Sequence, residues 1–121
     1  MKKVLIVDDY STVSKVYFEL LHAHYNVEAS IETDEIISRA KRFQPDVIII
    51  NADLPGFDAH EFCEIVVDEL HIPTVVLVDP LSTTKINIDS CKAQAILSKP
   101  LHADDLLQTV ARLISLGPRA N

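Results

Sequence analysis

Four polar residues each stand directly behind a short apolar run, and their types limit the chemistry they can do. Asp8 and Asp9 follow VLIV (Val4–Val7), Asn51 follows VIII (Val47–Ile50), and Lys99 follows AILS (Ala95–Ser98). Two adjacent carboxylates can hold a hard cation, and an ammonium beside them can neutralise an anion. Asn51 is the odd member. An amide delocalises its nitrogen lone pair and offers only a weak, neutral carbonyl oxygen where a carboxylate would offer a charged one. The nearest further carboxylate is Asp53. Strand geometry would carry it about 6 to 7 Å along the chain, out of in-line reach of Lys99.

The elements that position these residues are legible in the pattern around them. Short continuous apolar runs ended by turn signals are what strands buried on both faces of a parallel sheet require, and the carboxyl ends of such strands are where ligands bind. Val47–Ile50 fits this description and Val4–Val7 reads as a second central strand; Thr74–Val78 and Ala95–Ser98 read as the fourth and fifth strands, and Asn26–Ile31 alternates and suits an edge strand. Helical spacing fills the gaps. From a Ser11 cap, Val13, Val16, Tyr17, Leu20, Leu21 and His24 form an inner face, and a second helix with Ile36, Ile37, Ala40 and Phe43 inward follows Thr33. Asp58, with Glu61 three residues on, resembles a capping box for a third helix. The stretch Asp79–Lys92 is rich in weak helix formers, so a short or distorted element is expected there. A last helix runs from about His102 to Leu116, stopped by Gly117 and Pro118. Strands alternating with helices across short loops predict a parallel sheet covered on both faces.

Bulk properties narrow the function. At 121 residues and 48% hydrophobic content, the chain is expected to be one domain, residues 1–121. Its net charge of 11 − 18 = −7 argues against nucleic acid as a direct partner. MKKVLIVDD is too short in apolar residues for a signal-peptide core, and no run reaches membrane-spanning length. Cys63 and Cys91 lack Cys-x-x-Cys spacing and read as small apolar residues of a reducing compartment. The cytoplasm is the expected location.

VLIVDD, PDVIIIN followed by LPGFD, and LSKP, in that order, make the chain resemble the receiver domain of two-component response regulators, over essentially its whole length. The resemblance implies a flavodoxin-like (βα)5 three-layer sandwich with a parallel five-stranded sheet of order 2-1-3-4-5. It implies an acidic pair at Asp8 and Asp9 that holds magnesium with the phosphoacceptor, and a lysine, Lys99, that pairs with the phosphoryl group. The phosphoacceptor position falls on Asn51, the hydroxyl position on Val78 and the aromatic switch position on Ile96. All three depart from the family pattern.

Each departure has a consequence. Asn51 should not accept a phosphoryl group, and without its charge Asp8, Asp9 and Asp53 would hold magnesium weakly at best. Val78 has no hydroxyl to meet a phosphoryl oxygen, and Ile96 has no ring with a polar tip. Asp8, Asp9, Asn51 and Lys99 are therefore expected to form a structural polar cluster laid out like a catalytic site.

Three functions compete. The first is a phosphorylation-independent signalling module, not an enzyme, that binds a protein partner such as a histidine kinase or a downstream effector. Its binding face, as the resemblance suggests, is made by the fourth helix, the fifth strand and the fifth helix. The second is a conventional phosphorylated receiver using Asp53 as substitute acceptor. The third is a flavodoxin-type small-ligand binder, disfavoured because the first strand-to-helix turn, DDYSTV, has no glycine and its acidic pair repels phosphate.

Overall fold

The computed structural model describes residues 1–8, 12–30, 35–54, 58–81 and 93–116, the side chains of 12–14 excepted. Five parallel strands, β1 (Lys3–Val7), β2 (Asn26–Ser30), β3 (Val47–Asn51), β4 (Thr74–Val78) and β5 (Ala95–Ser98), form one sheet of order β2-β1-β3-β4-β5. The apolar runs of β1, β3 and β4 lie inside the sheet because they alone are buried on both faces; β2 and β5 form the edges.

Period-two alternation sorts the strand residues into two core layers. Val4 and Ile6, Val47 and Ile49, and Val75 and Leu77 face α1 (Thr12–His22) and α4 (Ala103–Leu116), which contribute Tyr17, Leu21, Leu106, Val110 and Leu113. Leu5, Val7, Ile48, Ile50 and Val76 face α2 (Ile36–Phe43) and α3 (Ala59–Ile65), which contribute Ile36, Ala40, Phe62 and Cys63. Helices on both sides of the sheet give three layers. Each fully buried aliphatic side chain contributes about 1.5–3 kcal/mol of transfer free energy.

Several local signals hold. Asp58 caps α3, its Oδ1 accepting the Glu61 N–H at 3.0 Å. Gln44 ends α2 in the left-handed conformation, φ 53°, and donates its N–H to the Ala40 carbonyl. Others are corrected. Val16 is 68% exposed, because the stripe that packs on the sheet is defined by Tyr17 and Leu21, four residues apart, and Val16 is turned about 100° off it. His24 lies exposed in the turn beyond the end of α1. The third helix continues past Ile65 as a π-helical segment, Val66–Leu70, that keeps Val66 and Val67 both buried. At α2 the N-cap position belongs to Glu35, with no side-chain cap bond. Ser11, Thr33, Pro55, Gly56, Cys91, Gly117 and the segment 82–92, where the sequence predicts a fourth of five helices, lie outside the described residues.

Candidate functional site

Register brings the chemistry-bearing residues together. Val7 is level with Ile50 across the β1–β3 pair, so Asp8 and Asn51, one residue further on, come side by side. Val78 is level with Ser98 across β4–β5, which sets Lys99 just beyond the same edge. Parity decides which way they face. Asp8 continues the series Val4, Ile6; Asn51 continues Val47, Ile49; Lys99 continues Ala95, Leu97, so all three belong to the layer containing α1.

The resulting network is dense. Asp8 is 3% exposed, and its Oδ1 accepts from Asn51 Nδ2 at 3.0 Å while its Oδ2 accepts from the Tyr17 hydroxyl. Asn51, 8% exposed, uses its amide oxygen for two donors, Lys99 Nζ and the Asp53 N–H, each at 2.9 Å. Lys99 Nζ also meets Asp53 Oδ2 at 3.3 Å, and that oxygen accepts the Asp79 N–H at 2.9 Å. Buried polar groups carry a desolvation cost unless bonded, and here each described member of the cluster is bonded.

Asp53 is therefore not out of reach of Lys99. That expectation rests on an extended chain after β3. The Asn51 side chain instead accepts the N–H two residues on, an Asx turn that folds Ala52 and Asp53 back across the strand end. Tyr17 was legible only as an inner-face residue; its polar tip lies over Asp8 because an aromatic with a hydroxyl packs its ring in the core and seeks an acceptor at the rim.

Among the described residues, the oxygens nearest the strand ends are already engaged by protein donors. A hard dication needs oxygen lone pairs, and both Asp8 oxygens and the Asn51 oxygen already point at hydrogen-bond donors, one of them the Lys99 ammonium. Among the described residues no group of three His, Cys, Asp or Glu is placed to hold a metal. Asp9 lies outside the described residues. Val78 and Ile96 pack as partly buried residues on the opposite layer, against the α2–α3 core. Cys63 is a buried thiol in the same layer. His60 sits 3.9 Å from Glu64 on α3, and His102 is exposed ahead of α4. A groove of about 460 Å³ opens elsewhere, near the amino-terminal ends of β1, β3 and β4, lined by Lys2, Gln44, Asp46, His71 and Pro73. It is the wrong edge of the sheet for this cluster.

A five-stranded 2-1-3-4-5 sheet with an acid, an amide and a lysine at the carboxyl ends of β1, β3 and β5 defines a flavodoxin-like α/β fold with its polar cluster at that edge. The response regulator receiver domain family matches residues 4–111, and the chain belongs to that family, the receiver domain of two-component systems. It is similar to the sensory transduction protein BceR of Halalkalibacterium halodurans, 25% identical over 93% of this chain and 49% of the relative. It is also similar to the response regulator ArlR of Staphylococcus aureus, 23% identical over 98% of this chain and 55% of the relative. The chain thus spans about half the length of these curated relatives. Among solved structures, chemotaxis protein CheY4 of Vibrio cholerae superposes with a TM-score of 0.76 at 27% identity, covering 93% of this chain and 98% of that one. A CheY-like receiver domain protein of Methanospirillum hungatei gives a TM-score of 0.80 at 18% identity, covering 96% and 95%, and shares the fold. No described helix is long and apolar enough to cross a membrane.

Proposed function

We propose that this receiver domain signals without phosphorylation, as a cytoplasmic protein-interaction module rather than an enzyme. One observation carries the reading: the phosphoacceptor position is an amide, and its two ends are committed, Nδ2 to Asp8 and Oδ1 to Lys99 and the Asp53 N–H. An amide so held offers phosphorus no charged oxygen. Asp8, Asn51 and Lys99, with Asp9 next in sequence, act as a structural cluster, and Val78 and Ile96 leave the usual relay without hydroxyl or ring. The partner is a signalling protein, a histidine kinase or a downstream effector. It docks on the face built by β5, α4 and the segment between β4 and β5. Incubation with a small phosphoryl donor and magnesium, followed by intact-mass measurement, tests this: the mass should not change, and a stable gain of one phosphoryl group would refute it.

A second reading uses Asp53 as a substitute acceptor, and the 3.3 Å contact with Lys99 favours it over a flavodoxin-type ligand site. Against it, the Oδ2 atom is shared between Lys99 and the Asp79 N–H. Site mapping of any phosphorylated product separates the two readings.

A further inference from the structure

Three segments of chain meet at the Asp53 carboxylate. The turn after β3 carries it, β4 exits past it at Asp79, and β5 ends beside it at Lys99. The backbone ladder reaches this edge through Ala52 N–H to the Leu77 carbonyl and Lys99 N–H to the Val78 carbonyl, 2.9 and 2.8 Å. One residue further out Asp53 takes over, accepting from the Asp79 N–H and from Lys99 Nζ. Asp79 passes the constraint on, its Oδ1 accepting the Leu81 N–H at 2.9 Å.

Charge accounts for the choice of residue. The Lys99 side chain is 23% exposed and that of Asp53 16%, so the pair is partly shielded from solvent and screened less than a surface pair. Asn51 gives the ammonium an oxygen and no negative charge. Among the described residues, the carboxylate in contact with Lys99 is that of Asp53, and the same oxygen orients a backbone N–H of the next strand's exit.

We propose that Asp53 is a resident anion: its carboxylate permanently supplies the negative charge that pairs with Lys99 and clamps the exit of β4 at Asp79, so that residues 79–81 are held in one arrangement without covalent modification. In receivers of the usual pattern, as the resemblance implies, this lysine pairs with the phosphoryl group on the acceptor carboxylate. In this chain the acceptor position is a neutral amide and the charge is supplied by Asp53. The partner-binding face next to that exit is then presented constitutively. The inference deepens the phosphorylation-independent reading and rests on it. Its test reads amide exchange and ion response, so the two can fail separately.

The test compares the whole chain with Asp53→Asn and Asp53→Ala by amide hydrogen exchange and NMR, with and without sodium acetate at constant ionic strength. Exchange at Asp79 should accelerate about tenfold in Asp53→Ala, as expected for loss of a charge-assisted bond, and less in Asp53→Asn, which keeps an acceptor of the same shape. Acetate should return the Asp79 amide and Lys99 side-chain signals of Asp53→Ala toward their wild-type positions, saturably. It should leave wild type unmoved, and the response should vanish in Asp53→Ala/Lys99→Met. Unchanged exchange at Asp79 and Leu81 in Asp53→Ala would overturn the proposal, as would an acetate response equal to that of wild type. Should Asp53→Ala fail to fold, Asp53→Asn decides by exchange alone, and wild-type protection at Asp79 in that variant would overturn it.

Discussion

The Tyr17 hydroxyl donates to Asp8 Oδ2, and the Asn51 amide donates to the other oxygen of the same carboxylate. A helix residue and a strand residue thus close off the acidic end of β1 between them. In Tyr17→Phe the ring stays in the core layer and only this bond is lost. Hydrogen bonds to charged groups contribute about 1.5–3 kcal/mol, so a loss of that order is expected in urea denaturation with an unchanged m value. A neutral result would show that the hydroxyl is not needed by Asp8.

Magnesium should not stabilise the wild-type protein. Asn51→Asp places a second carboxylate 3.0 Å from Asp8 Oδ1, where like charges repel, and stability should fall by about 1–3 kcal/mol in metal-free buffer. Tyr17 still holds Asp8 Oδ2 in that variant, so magnesium should restore only part of the loss. Asn51→Asp/Tyr17→Phe should show the larger gain in melting temperature on adding magnesium. Equal gains in the two variants would remove Tyr17 from the account.

Restoring the carboxylate should not restore a switch. Val78 and Ile96 both pack on the α2–α3 layer and neither carries a polar tip to answer a phosphoryl group on the other side of the sheet. Asn51→Asp treated with a phosphoryl donor should therefore gain mass while the amide shifts of residues 78–81 and 95–98 stay close to those of the untreated variant. Large shifts there would contradict this.

The scaffold has its own sensitive points. Leu21 is wholly buried between α1 and the sheet, so Leu21→Ala should lose about 2–5 kcal/mol through transfer and cavity terms. Asp58→Ala removes the α3 cap and should lose about 0.5–2 kcal/mol. Thermal unfolding of both variants ranks them; a costlier cap than core residue would contradict this ranking.

Sequence alone was enough for the strands, the central place of β1 and β3 and the edge place of β2, the three-layer fold and the meeting of Asp8, Asn51 and Lys99 at one edge. All of these follow from short-range regularities: continuous apolar runs, period-two and helical spacing, and polar residues placed where the runs stop. Tertiary structure decided what those residues touch. The Asx turn at Asn51 swings Asp53 onto Lys99, against the reach an extended chain would give it. The rotation of α1 puts Tyr17 over Asp8 and leaves Val16 outside. Hydrogen bonds are made over about 3 Å, so a single turn or a fraction of a helical rotation selects the partner, and no local pattern records it.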